Sequence, residues 1–264
     1  MKRVLVLASA ACLVVLACVV EHTSAAEQVV DVLTRPGVTE RVLVLTGEEP
    51  RATVVLLAGG HGGLQISPDG KLGWGGGNFL VRSRRLFADQ GLMVAVVDAP
   101  SDRQADPFLN GFRQTREHVA DVKAVIAWLR QKTAAPVWLV GTSRGTQSAA
   151  FIATQLSPTD GGPDGIVLTS TVLSDPRGRA VPDMELRRIT IPTLVVHHRD
   201  DGCRLCLYRD VPSLMKKLKT PRTELLTFDG GISRGDPCEA FGHHGYNGIE
   251  REVVGAIAAW IVQK

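Results

Sequence analysis

Between Pro136 and Leu156 the chain reads PVWLVGTSRGTQSAAFIATQL, and this stretch constrains the fold more than any other. Val137 to Val140 is a short apolar run suited to a buried strand, and Ala149, Ala150, Ile152 and Ala153 follow in a helix-compatible pattern. Only the small-residue corner Gly141-Thr142-Ser143-Arg144-Gly145 separates them. A strand that becomes a helix so abruptly holds the corner residue in a tight, strained backbone conformation. Glycine on either side removes the Cβ atoms that would collide with the neighbouring strand or helix. The Ser143 hydroxyl then stands above the sheet edge. It lies beside the first N–H groups of a helix, which lack partners inside that helix and can donate to a developing oxyanion. G-x-S-x-G is common by chance, and a serine that merely caps a helix is the bland alternative. The strand-to-helix setting favours a nucleophile elbow.

The rest of the chain supplies a sheet for such an elbow. Gln28 to Thr34 and Arg41 to Thr46 read as an antiparallel lead-in around Pro36-Gly37. Apolar runs at Ala52–Leu57, Leu92–Val97, Gly165–Ser170, Pro192–Val196 and Thr223–Phe228 read as strands, the denser ones buried on both faces. Helical patterns cover Phe79–Ala88, Thr115–Lys132, Val211–Lys219 and Gly248–Val262. Strands alternating with helices from residue 52 onward imply an α/β fold, a mostly parallel central sheet flanked by helices on both faces. The short segment 171–190 leaves no room for a large lid domain.

The chain is 264 residues long and 44% hydrophobic, enough for one sizeable core and a single domain over 27–264. Ahead of it, Lys2 and Arg3, the apolar run Val4 to Val20 and the small residues Ser24-Ala25-Ala26 have the three-part form of a secretory signal over 1–26. Cleavage after Ala25 or Ala26 makes the mature protein secreted or periplasmic, with membrane contact only through the leader. An uncleaved anchor or lipidation at Cys18 fits less well. Loss of Lys2, Arg3 and Glu21 lowers the formal charge of +3 by one, which leaves no electrostatic footprint for nucleic acid. Lys216, Lys217 and Lys219 read as the wet face of a helix rather than a phosphate site.

A serine hydroxyl needs a base and a group that orients the base. In parallel α/β sheets reactive groups gather in loops that follow strands, and two loops qualify. His197-His198-Arg199-Asp200-Asp201 offers carboxylates, and Gly242-His243-His244-Gly245-Tyr246 offers imidazoles. The chain order is Ser, Asp, His, the order that accompanies this elbow. The glycine-rich turn Ala58-Gly59-Gly60-His61-Gly62-Gly63 ends a buried strand and suits a second oxyanion donor, from the N–H of Gly60 or His61, to add to that of Arg144. The His61 imidazole itself reads as a bystander. Trp74 either walls the pocket or holds its loop on the body.

With these residues in place the chain resembles the α/β-hydrolases over nearly its whole mature length. In that family the acid strand often ends in His-Gly-x-x-Asp. His197, His198, Arg199, Asp200 and Asp201 match the register with His198 in place of the glycine, so Asp201 is the expected acid and Asp200 the alternative. The catalytic histidine of the family often precedes glycine and an aromatic residue, which favours His244 over His243. The usual His-Gly before the oxyanion turn is here Ala58-Gly59. The resemblance implies a serine hydrolase acting on small ester or related acyl substrates, with no metal or organic cofactor. An acyltransferase, a peptidase or a silent binding protein on the same fold are the alternatives. Convergence of the two loops would let a Cys203–Cys238 disulfide pin them together, with Cys206 free and buried; pairing through Cys206 or a zinc held by Cys203, Cys206, Cys238 and His243 competes with this.

Overall fold

The continuous apolar runs become strands covered on both faces. In the computed structural model, which describes residues 26–263, β3 (Ala52–Leu57), β4 (Leu92–Pro100), β5 (Val137–Thr142), β6 (Gly165–Thr169) and β7 (Thr193–His198) are buried along their whole length. With β1 (Ala26–Arg35), β2 (Val38–Thr46) and β8 (Thr223–Phe228) they form one sheet in the order β1-β2-β4-β3-β5-β6-β7-β8. Only β2 runs against the rest, pairing antiparallel with β1 and β4, so the sheet is mostly parallel. The leader expected over 1–26, Cys18 included, lies outside the described residues except for Ala26, which opens β1.

Side chains alternate across a strand, so each inner strand feeds two cores. Val55 and Leu57 of β3 join residues of α3 (Arg116–Arg130), α4 (Arg144–Gln155) and α5 (Val211–Lys217) on one face. Val54 and Leu56 join α1 (Phe79–Arg82), α2 (Arg84–Asp89) and α6 (Glu250–Val262) on the other. This is a parallel-sheet sandwich between two helical layers, with only short 3₁₀ turns at Val181–Asp183 and Leu186–Arg188 between β6 and β7 and no lid. No helix among the described residues is long and apolar enough to cross a membrane.

One predicted element divides. The pattern over Phe79–Ala88 forms two short helices broken at Ser83, whose ψ is 1°. The arginines on either side are anchored to different elements, Arg82 to Glu250 of α6 and Arg84 to Glu27 of β1.

Glu40 on β2 is fully buried, and neither of its carboxyl oxygens has a hydrogen-bond partner among the described residues. Burial, reinforced by Asp121 and Asp98, raises its pKa well above the ordinary value. A folded-state pKa raised in this way gives stability that is complete below the unfolded pKa and is lost as pH climbs through the raised value. Glu40→Gln removes the titration, so it should stabilise the protein by roughly 1–3 kcal/mol at pH 8 and add nothing at pH 4. Urea denaturation midpoints at the two pH values test this; an equal effect at both would show that the carboxyl does not titrate as described.

Candidate active site

The elbow forms where β5 meets α4. Ser143 takes φ 52° and ψ −125°, a conformation that costs a non-glycine residue about 1–3 kcal/mol. Its N–H donates to Thr169 O at 3.0 Å, and its carbonyl accepts from the Thr146 N–H at 2.9 Å and hydroxyl at 2.6 Å. The two flanking glycines are required by space. A Cβ on Gly141 would lie 2.4 Å from Gly145 O, and one on Gly145 would lie 2.0 Å from Leu57 O. The strand and helix therefore approach as closely as the sequence pattern implies.

The acid and base loops meet at the carboxyl ends of β7 and β8. Asp201 and His244 are both buried, and His244 Nδ1 lies 2.9 Å from Asp201 Oδ2 while Asp201 Oδ1 accepts the Cys203 N–H. Nε2 is buried and has no hydrogen-bond partner among the described residues; it offers a lone pair only in the neutral imidazole with the proton on Nδ1. The alternatives bond elsewhere. Asp200 is exposed and donates its N–H to His198 Nδ1, and His243 stacks on His198 with Nδ1 near Asp200 O. His197 accepts the Thr171 N–H through Nε2, and burial draws it down to about 4, so it stays neutral.

Two further residues hold the loop that carries His244. Ser170 Oγ donates to the His244 carbonyl at 2.7 Å. The Tyr246 hydroxyl accepts the Ser170 N–H at 3.1 Å and donates to Val196 O at 2.8 Å, so it ties the base loop to the ends of β6 and β7. Both adopt positive φ, 45° and 55°. The aromatic residue after His244-Gly245 was the only sequence signal for this bracket.

Cys203 and Cys238 form a disulfide that joins the acid loop to the base loop, and Cys206 is free and buried. Two sulfurs of the competing zinc arrangement are thereby consumed. The imidazole beside the cysteines is also that of His244, whose ring nitrogen lies within 4.8 Å of the Cys203 and Cys206 sulfurs, and not that of His243.

Ser143 and His244 line one cavity of about 790 Å³ together with Gly59, Gly60, Arg144 and Trp74. No hydrogen bond joins Ser143 to His244 among the described residues. A Cβ on Gly59 would come within 2.9 Å of Ser143 Cβ, so the glycine turn lies directly against the elbow. The N–H groups of Gly60, His61 and Arg144 find no protein acceptor among the described residues. Trp74 fills both roles considered for it: it walls the cavity and lies over the Gly60 backbone, where a Cβ would meet the indole at 2.5 Å. The His61 ring packs within the turn. It is sandwiched between Trp74 and Phe108 at 3.8 and 4.3 Å, and its Nδ1 accepts the Gly63 N–H. Asp98, at the end of β4, receives three consecutive N–H groups from Leu64, Gln65 and Ile66 and so secures the loop that carries Trp74. Arg144 is paired with the buried Asp175 at 2.8 Å and does not reach freely for a ligand.

No protein-family model and no curated protein matches this sequence. Solved structures do match. An esterase from Pyrococcus furiosus superposes with a TM-score of 0.63 at 14% identity, over 90% of this chain and 92% of its own. A serine hydrolase without lid from Xanthomonas campestris gives 0.58 at 16% identity over 92% and 97%, and a dienelactone hydrolase from Anabaena variabilis gives 0.59 at 15% identity over 91% and 96%. The chain has the α/β-hydrolase fold. The matches cover nearly the full length of both chains. Ser143 lies at the corner after β5, Asp201 in the loop after β7 and His244 in the loop after β8.

Proposed function

We propose that this protein is an exported serine hydrolase that cleaves carboxylic esters or related acyl substrates. The observation that carries the reading is the placement of a strained serine and a buried imidazole, itself bonded to a buried carboxylate, on one cavity. Ser143 Oγ attacks the acyl carbon while His244 Nε2 takes its proton. Asp201 holds the tautomer and stabilises the imidazolium. The oxyanion accepts from the Arg144 N–H and from Gly60 or His61, each such donor contributing about 3 kcal/mol. His244 then protonates the departing alkoxide. Water, activated by the same imidazole, releases the acid and regenerates Ser143. The cycle calls for no metal or cofactor.

A panel of aryl ester, thioester and amide substrates with fluorophosphonate labelling tests the reading: ester turnover and one labelled serine are expected. A silent binding protein on the same fold draws on the missing hydrogen bond between Ser143 and His244. Such contacts tighten when substrate binds, so hydrolysis remains the better reading; failure of both turnover and labelling would reverse that choice. Export draws on the leader pattern and on a disulfide suited to an oxidising compartment. A secreted product beginning at residue 26 or 27 would match it.

The base also has a pH signature. Burial disfavours the charged form of His244, but the Asp201 carboxylate and the neighbouring Cys206 outweigh it and raise the imidazole above its ordinary value. A general base acts only when neutral, so kcat/KM should climb with pH along a limb above the usual histidine value near ~6.5. Cys206→Ala removes one raising group and should move that limb to lower pH. An unmoved limb would mean that the thiol does not influence the base.

A further inference from the structure

Catalysis by the proposed route depends on which way the peptides of the glycine turn face. Glycine-rich backbone can flip a peptide at little cost, and each flip exchanges a donor for an acceptor. Something must hold residues 58–61 in one orientation.

Arg113, just before α3, is 5% exposed and lies beneath that turn. Its Nη2 donates to Ala58 O at 3.0 Å and Gly60 O at 3.2 Å, and its Nη1 donates to Ser148 Oγ at 3.0 Å. Ser148 in turn contacts His118 Nε2 at 2.9 Å, so the side chain is gripped from α4 and α3 as well. Among the described residues Arg113 makes no ion pair with a carboxylate. Burial, with Arg144 adding a like charge, pulls it down to about 9, which leaves it cationic at neutral pH. A buried cation is costly, and here it is compensated by carbonyl oxygens of the turn through charge-assisted hydrogen bonds. The His61 carbonyl is also taken, by the Leu109 N–H at 3.0 Å. The carbonyls of 58, 60 and 61 therefore all face the 109–113 segment.

We infer that Arg113 is the positioning residue of the oxyanion turn and that the His61 N–H, rather than that of Gly60, is the donor it aims. A trans peptide carries C=O and N–H on opposite edges, so the Gly60 carbonyl held on Arg113 turns the His61 N–H away from it. On the same turn Gly59 abuts the elbow, where an added Cβ would lie 2.9 Å from Ser143 Cβ. The Gly60 N–H belongs to the preceding peptide, whose carbonyl on Gly59 is held by no donor among the described residues. The stacked His61 ring, with Nδ1 on the Gly63 N–H, fixes the same peptide from its other end. This inference rests on the ester-hydrolase reading.

Arg113→Lys and Arg113→Met test the positioning role on an aryl ester. Expected is a fall in kcat of roughly 10- to 100-fold with KM within about threefold. A trifluoromethyl ketone should lose affinity by the same factor as kcat, and guanidinium ion should partly restore Arg113→Ala. Unchanged kcat, or a loss carried by KM, overturns the role. The donor is tested in wild-type protein, so it does not depend on whether the variants fold. After phosphonylation of Ser143 the His61 amide resonance should shift more than that of Gly60. Labelling with the opposite pattern overturns this inference alone, whereas absence of labelling overturns it together with the hydrolase reading.

Discussion

Ser143→Ala should lower kcat for a short-chain aryl ester by about 10⁴- to 10⁶-fold and abolish fluorophosphonate labelling, with the melting temperature maintained or raised. The size follows from the chemistry, since no acyl-enzyme forms without the hydroxyl and only the oxyanion donors and binding contacts remain. Stability should not suffer because the elbow's backbone bonds, from the Ser143 N–H to Thr169 O and from Thr146 to Ser143 O, do not involve the hydroxyl. Alanine at φ 52° is strained as serine is. If Ser143 and His244 act as one unit, Ser143→Ala combined with His244→Ala should cost little more than either change alone. Losses that multiply would separate the two residues, and labelling that survives in Ser143→Ala would move the nucleophile elsewhere.

Gly145→Ala should be among the most damaging single-methyl changes in the fold. The added Cβ would stand 2.0 Å from Leu57 O, at the end of β3, and 3.0 Å from Ala58 O in the turn that follows, both backbone atoms. Strand and helix must separate to admit it, which opens the elbow and displaces the glycine turn. A loss of at least ~3 kcal/mol in unfolding free energy is expected, with turnover falling in parallel. Gly255→Ala is the control. Gly255 sits in the interior of α6 with nothing within 4 Å of an added Cβ, so alanine should gain about 0.5–1 kcal/mol there from its better helix propensity. Two glycines in helices thus carry opposite signs, and denaturation curves that move the same way for both would refute the steric account of the elbow.

The strand, corner and helix that present Ser143 are local, so this part of the candidate site could be read from the sequence. The run Val137 to Val140, the corner and the helix that follows lie within one short segment, and the glycines that permit the corner flank it directly. The choice of Asp201 over Asp200 and of His244 over His243 needed the family register. In the structure each follows from neighbouring residues turning to different sides: Asp201 faces His244 while Asp200 faces solvent and His198. Arg113, Ser170 and Asp98 carry no comparable local mark. They act on segments 50 or more residues away in most cases, and nothing beside them in the chain distinguishes them from a surface arginine or a loop serine. His61 was legible as part of the glycine turn, but the ring's place between Trp74 and Phe108 was not.

By itself the amino-acid sequence determined the alternation of strands and helices, the burial of the inner strands and the strand-corner-helix that presents Ser143. These depend on periodicity and on steric limits that act over a few residues. Tertiary structure alone decided that β4 lies between β2 and β3, that Cys203 rather than Cys206 bonds Cys238, and that a buried arginine grips the glycine turn. Such pairings are chosen by which surfaces meet when the sheet closes, and contacts between distant segments leave no trace in the spacing of either one.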